Sequence, residues 1–139
     1  MPRLTRALRR NRDGNAAVEF ALILPVLLAL VFGCLEFGMI AYTYNATGSV
    51  ARDAARQLAI NQLTPEQVDG YVRKKLPRWV RDEAQLNVSQ SDEDDPTSNR
   101  FTLDVTFPAT SATPSHFMSF AYKTLTVDVR VTMQQEPTL

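Results

Sequence analysis

The sequence predicts an α+β protein: a long N-terminal helix, transmembrane in its first half and amphipathic in its second, then a second short helix and a small three-stranded antiparallel sheet packed on the helices. Three observations predict it. Residues 20–35 form a charge-free, almost wholly apolar run. Small apolar residues then recur at three- and four-residue spacing as far as Ile60, and two C-terminal stretches alternate between apolar and polar side chains. The first pattern implies a membrane span, the second a helix with one buried face, and the third strands covered on one side only. The expected outline is a lollipop, a stem helix carrying a head.

The formal net charge is zero, but it is unevenly placed. Residues 1–14 hold Arg3, Arg6, Arg9, Arg10 and Arg12 against Asp13, a net +4, which leaves −4 for the remainder. A basic segment directly before an apolar run, with no aromatic residue between its arginines, reads as a membrane address and not as a nucleic-acid contact. No nucleic acid is expected as a partner. Counting on to Tyr42 and letting Glu36 snorkel toward water gives a span over about residues 20–42, enough for a hydrocarbon core of about 30 Å. Basic residues before the span, and none after it until Arg52, place the N-terminus in the cytoplasm and the head outside.

Sorting signals were weighed against this segment. No small-x-small cleavage site follows Leu35, as an ordinary secretory signal requires. Val31-Phe32-Gly33-Cys34 loosely resembles a lipobox, yet the helical pattern continues where a flexible tether should begin. Cys34, the single cysteine, excludes an intramolecular disulfide and reads most simply as a small packing residue.

Glu19 is the anomaly of the apolar run. A carboxylate at the bilayer centre costs roughly 2.5–3.5 kcal/mol on insertion scales, so an intramembrane Glu is by default a functional candidate. Near the interface the cost falls, and a helix N-terminus favours negative charge by roughly 0.3–1 kcal/mol. A plain dipole partner is therefore the alternative reading.

The short basic leader ending in Gly14, then Asn15, then Glu19 as the fifth residue after the glycine and an apolar helix, resembles a type IV prepilin. More of the chain matches one branch. Glu19-Phe20 followed by Ala21-Leu22-Ile23-Leu24-Pro25, then Glu36-Phe37-Gly38, then Ala51-Arg52-Asp53-Ala54-Ala55-Arg56, looks like the TadE family of minor pilins, which belong to the tight-adherence (Tad, Flp) pilus system. The likeness covers about residues 10–60; it departs from the family at Asp53-Ala54, where Glu-Gly is common. The resemblance implies a bacterial inner-membrane protein with a single pass, whose leader, residues 1–14, is cut by a prepilin peptidase between Gly14 and Asn15. Residues 15–60 then form the long helix and residues 61–139 the extracytoplasmic head. Other Tad/Flp pilins, the pilus assembly machinery and inner-membrane lipids are the implied partners.

Cleavage would give Glu19 a partner. It creates an α-ammonium on Asn15, which is i−4 to Glu19 and so on the same helix face. The resemblance implies that this Glu registers a subunit against its neighbours' N-termini, with Phe20 beside it. Gly14, without a side chain, would let the peptidase approach an extended backbone. Pro25 frees the Ala21 carbonyl and is a candidate for a helix kink. Glu36, Phe37 and Gly38 are candidates for helix packing, with Glu36 an interfacial residue.

The head follows from local signals. Asn61-Gln62-Leu63 breaks the stem, and Thr64-Pro65-Glu66-Gln67 starts a second helix with a capping box. Val68, Val72 and Leu76 share one face of it, and Pro77 ends it. Trp79 and Val80 are expected in the core. Strands are expected at Leu86 to Val88, at Phe101 to Phe107 and at Leu125 to Met133, with one apolar face against the helices. The four acids of Ser91-Asp92-Glu93-Asp94-Asp95-Pro96 lack the spacing and glycine of an EF-hand and read as a solvated hairpin loop. The stretch 108–120 either closes the core or presents a contact surface.

No constellation supports catalysis. His116 is the single histidine, and there is no phosphate-binding glycine loop and no His/Cys cluster at metal-ligand spacing. Neither a metal nor a cofactor is expected, nor enzymatic activity. Asn45-Ala46-Thr47 and Asn87-Val88-Ser89 fit the glycosylation pattern, which is common by chance. Two function classes remain: a processed minor pilin, or pseudopilin, and an unprocessed (or lipidated) single-pass binding module with an extracytoplasmic head.

Overall fold

Helix α1 runs from Arg12 to Ala59, 48 residues with Pro25 inside it. The computed structural model describes residues 12–92, 95 and 98–136; the arginines at 3, 6, 9 and 10 lie outside the described residues. α1 starts three residues before the expected Asn15, so Gly14 is helical here and not extended. One glycine costs a helix about 1 kcal/mol, which is too little to stop propagation when each further residue adds a hydrogen bond. At the other end the helix closes in a Schellman arrangement. Asn61 adopts φ 57°, the Gln62 amide donates to the Gln57 carbonyl at 2.8 Å and the Asn61 amide to that of Leu58 at 3.0 Å. Asparagine tolerates this left-handed conformation better than most residues, which is why the stem ends there.

Two compact units meet within α1, one up to Leu35 and one from Glu36 onward. In the first, Val18, Phe20, Leu22, Ile23, Val26 and Leu30 all face outward. In the second, α1 buries a stripe at Glu36, Thr43, Thr47, Ala51, Ala54 and Leu58. That spacing of three, four and seven keeps one helix face toward the rest of the unit.

Helix α2 (Pro65–Lys75) begins as its sequence requires. The Thr64 amide donates to Gln67 Oε1 at 3.2 Å, Pro65 lacks the amide that would be orphaned, and Leu76 ends the helix in extended conformation before Pro77. A single turn, α3 (Arg78–Arg81), leads to β1 (Gln85–Gln90). β2 (Arg100–Pro108) and β3 (Thr126–Gln134) complete an antiparallel sheet in the order β1-β2-β3. Between the last two strands lie a 3₁₀ turn, Ala109–Ala112, and one helical turn, α4 (Ser119–Tyr122).

Register places Val88 opposite Leu103, and Leu103 and Val105 opposite Val131 and Val129. The central strand β2 therefore turns Phe101, Leu103, Val105 and Phe107 inward, all buried, against Ala51, Ala54 and Leu58 of α1, Val68 and Val72 of α2 and Leu76 just after it. Its other face pairs Thr102 with Thr132, Thr106 with Asp128 and Asp104 with Arg130. One face is packed and one is wet, the arrangement the alternation implied. Two expectations shift. Trp79 is 38 % exposed while Val80 is fully buried; the indole N–H still turns inward, donating to Thr43 Oγ1 at 3.1 Å, and leaves part of the ring in solvent. β3 starts one residue later than expected, leaving Leu125 exposed.

Candidate functional site

Two carboxylates on α1 carry the functional question, and the fold treats them in opposite ways. Glu19 lies on the outward-facing apolar stretch and is exposed. The Asn15 side-chain amide donates to its Oε1 at 3.0 Å, a direct consequence of i, i+4 spacing on a helix. Both groups are presented side by side one turn apart. Phe20 next to them is exposed, and so is Pro25 farther along. Gly14 is helical, and the side chains of Arg12 and Asp13 lie outside what is described.

Glu36 is 2 % exposed. The segment that follows β2 surrounds it. Thr113 Oγ1 and Ser115 Oγ donate to its Oε1 at 3.2 and 3.3 Å, and the Met118 backbone amide donates to Oε2. The buried Tyr122 hydroxyl faces the same carboxylate without a well-aligned hydrogen bond to it. A buried carboxylate is tolerated when its oxygens are met by donors, and three are present. The hydropathy pattern suggested a Glu36 turned to water near the end of the span; instead the second unit reaches α1 at this residue. Phe37 beside it is exposed, and a side chain at Gly38 would meet nothing within 4 Å. Of the three residues in that motif, Glu36 alone packs within the chain.

About two and three turns further on, the stripe stays polar. Thr43 Oγ1 donates to the Ala112 carbonyl at 2.8 Å while accepting from Trp79. Thr47 is also buried, and its hydroxyl has no hydrogen-bond partner. Sequence reasoning missed Thr43, Thr47, Thr113 and Ser115. The signal was present for the first two: Glu36, Thr43 and Thr47 lie in phase with Ala51, Ala54 and Leu58, so a stripe read only for apolar residues stops too early. For Thr113 and Ser115 no local pattern announces a partner 77 and 79 positions away.

Asp53 and Ala54 both make contacts in the head. Ala54 is fully buried against the sheet. Asp53 accepts from Lys75 Nζ at 2.6 Å and from the Tyr71 hydroxyl at 2.7 Å, tying α1 to α2. Cys34 is exposed on continuous helix. In the β1–β2 hairpin, Asp92 accepts from Ser98 Oγ and from the Asp95 amide, while Glu93 and Asp94 lie outside the described residues. Among the described residues no cluster of three His, Cys, Asp or Glu side chains is arranged to hold a metal.

The described chain is an outward-facing apolar helix that continues into a small helix-and-sheet unit. The stretch Asn15–Ala59 contains a window long and apolar enough to cross a membrane, none of it buried, which makes it a possible membrane anchor. Residues 14–56 match the family model described as TadE-like protein, consistent with a TadE-like, pilin-type protein associated with Tad pilus systems. In the two other comparisons, with curated proteins and with solved structures, nothing matched. The family match starts at Gly14 and ends at Arg56, so it covers both carboxylates and stops short of α2 and the sheet.

Proposed function

We propose that the protein is a minor pilin of a Tad/Flp-type pilus, anchored by residues 15–35 and cut by a prepilin peptidase after Gly14. The observation that carries this is the pairing of Asn15 with Glu19 at the start of an uncovered apolar helix, at the point where the family match begins. Cutting after Gly14 turns residue 15 into a chain terminus bearing an ammonium group. Its neighbour on the same helix face is Glu19, whose carboxylate is then at hand to pair with that ammonium or with the terminus of an adjacent subunit. In a water-poor bundle of apolar helices an unpaired carboxylate is penalised and an in-register subunit is favoured.

The span fits this reading. The 21 residues from Asn15 to Leu35 extend about 31 Å at about 1.5 Å per residue, against a hydrocarbon core of about 30 Å. Ending the span at Leu35 leaves the buried Glu36 outside the lipid. The basic leader orients the chain with its N-terminus in the cytoplasm and the second unit on the far side of the inner membrane.

Intact mass of the membrane-extracted protein tests the processing. A chain beginning at Asn15 is expected, and Gly14→Arg is expected to leave the leader attached; a full-length product in the native host, peptidase present, defeats the proposal. For the register role, Glu19→Gln and Glu19→Ala should be processed yet lost from sheared pili. Normal incorporation of both would show that Glu19 is a helix-dipole partner and nothing more.

A further inference from the structure

The segment that grips Glu36 turns its large apolar side chains outward. Phe120 is 76 % exposed, and Phe117 and Leu125 are also exposed, whereas Phe101 and Phe107 of β2 are buried. From Val105 to Val127 the sequence contains no Asp or Glu, and Lys123 is exposed within that stretch. At the other end of the sheet the β1–β2 hairpin carries Asp92 and Asp95. That acidic end lies by the C-terminus of α1: the Glu136 amide donates to the Ala59 carbonyl, and Gln135, next to it, accepts from Asn99 at the base of the hairpin. The segment beside Glu36 is thus apolar and carries no acid of its own, with Glu83 reaching Ser111 just ahead of it, and the hairpin beside Ala59 is acidic.

We propose that residues 113–125 dock on the membrane surface, with Phe117 and Phe120 seated among the lipid headgroups and Lys123 at the level of the phosphates. The inference rests on the membrane-anchored reading above and adds a contact to it. Its warrant is chain connectivity. Glu36 directly follows Leu35, the last residue of the charge-free apolar run, and Thr113, Ser115 and Met118 hold the Glu36 carboxylate. The segment is therefore held where the chain leaves the hydrocarbon. Aromatic side chains are favoured at headgroup level, a lysine is attracted to anionic lipid, and residues 113–125 themselves carry no acid that such a surface would repel. Phe37, exposed beside Glu36, belongs to the same belt.

The single cysteine makes the test direct. Full-length protein is reconstituted in phosphatidylethanolamine–phosphatidylglycerol vesicles and spin-labelled at one position at a time: native Cys34, Phe120→Cys with Cys34→Ser, and Ser98→Cys with Cys34→Ser. Leu125→Cys serves as a second probe of the segment should the change at 120 disturb it. Collision with oxygen, which partitions into lipid, is compared with collision with a water-soluble nickel chelate. The expected oxygen-to-nickel ratio is highest at 34, lowest at 98 and several-fold above the latter at 120 and 125. A label at 120 and 125 indistinguishable from that at 98, with 34 in lipid, overturns the docking and leaves the anchor standing. A water-like label at 34 as well overturns both. Labels at 120 and 125 shielded from both reagents would place a protein, such as a second pilin, on this surface and overturn the lipid contact.

Discussion

At the scale of single residues, the two glutamates of α1 show how one side chain takes its meaning from what faces it. Among the described residues Glu19 takes one hydrogen bond, from Asn15, and is exposed. Glu36 has three donors and almost no solvent. Glu36→Ala would leave those donors without an acceptor, at about 1–3 kcal/mol for each buried group left unpaired. Net destabilisation of about 2–4 kcal/mol is expected in denaturant titrations, together with faster proteolysis after Lys123. Glu36→Gln, which keeps acceptor capacity, should lose less. The reverse case is Thr47, whose buried hydroxyl has no partner. Thr47→Val keeps the shape and removes the orphaned group, so stability should rise by about 1 kcal/mol; a loss would mean that the hydroxyl is satisfied in solution.

At the scale of elements, α1 and α2 are joined across their ends by Asp53, Tyr71 and Lys75. The hydrogen bonds that Lys75 makes to Asp53 and Tyr71 raise its pKa above the ordinary lysine value. A raised pKa in the folded state means that the contribution is complete below the unfolded lysine value and is lost as pH rises through the folded one. The stability difference between the native protein and Lys75→Met should therefore shrink on going to strongly alkaline pH. The effect will be small, because both side chains of the ion pair are more than a third exposed. Core packing is the larger matter: Leu103, fully buried at the centre of β2, should cost about 2–5 kcal/mol when cut to alanine, measured by the shift of the urea midpoint.

The elements themselves were legible for reasons that can be named. α2 was bounded by Thr64, Pro65 and Pro77, each acting through its own backbone chemistry. β2 and β3 were readable because a sheet wet on one face forces strict alternation. Less was legible between β2 and β3. The 3₁₀ turn and α4 are each four residues long, too short for a periodic signal, and they form because Thr113, Ser115 and Met118 find Glu36. Trp79 was expected in the core because an indole is read as core by its area, whereas only its N–H edge turns inward, to the buried Thr43 hydroxyl.

At the scale of the whole molecule, the second unit is built partly from the stem. Ala51, Ala54 and Leu58 of α1 belong to the same buried cluster as Leu103, Val105 and Val72. A small α+β head without that helix exposes one face of its sheet and has little core left. A fragment of residues 36–139 should accordingly unfold cooperatively in denaturant, and one of residues 61–139 should not. Cooperative unfolding of the shorter fragment would show that α1 merely rests on a self-sufficient head.

Residue order alone was enough to establish the apolar run, the Gly14-to-Glu19 spacing, the caps and the strand alternation, because each depends on neighbours within a turn or a strand, where chemistry and geometry are local. It was also enough to raise the likeness to TadE-like proteins, which the family match over residues 14–56 meets. The fate of Glu36 was beyond its reach. Hydropathy treats a glutamate as a charge bound for water, and a threonine 77 positions distant becomes its partner only once β2 and the turn after it are folded against α1. Long-range pairing of that kind depends on which surfaces the sheet brings together, and so the three-dimensional arrangement decided where the second unit takes hold of the stem.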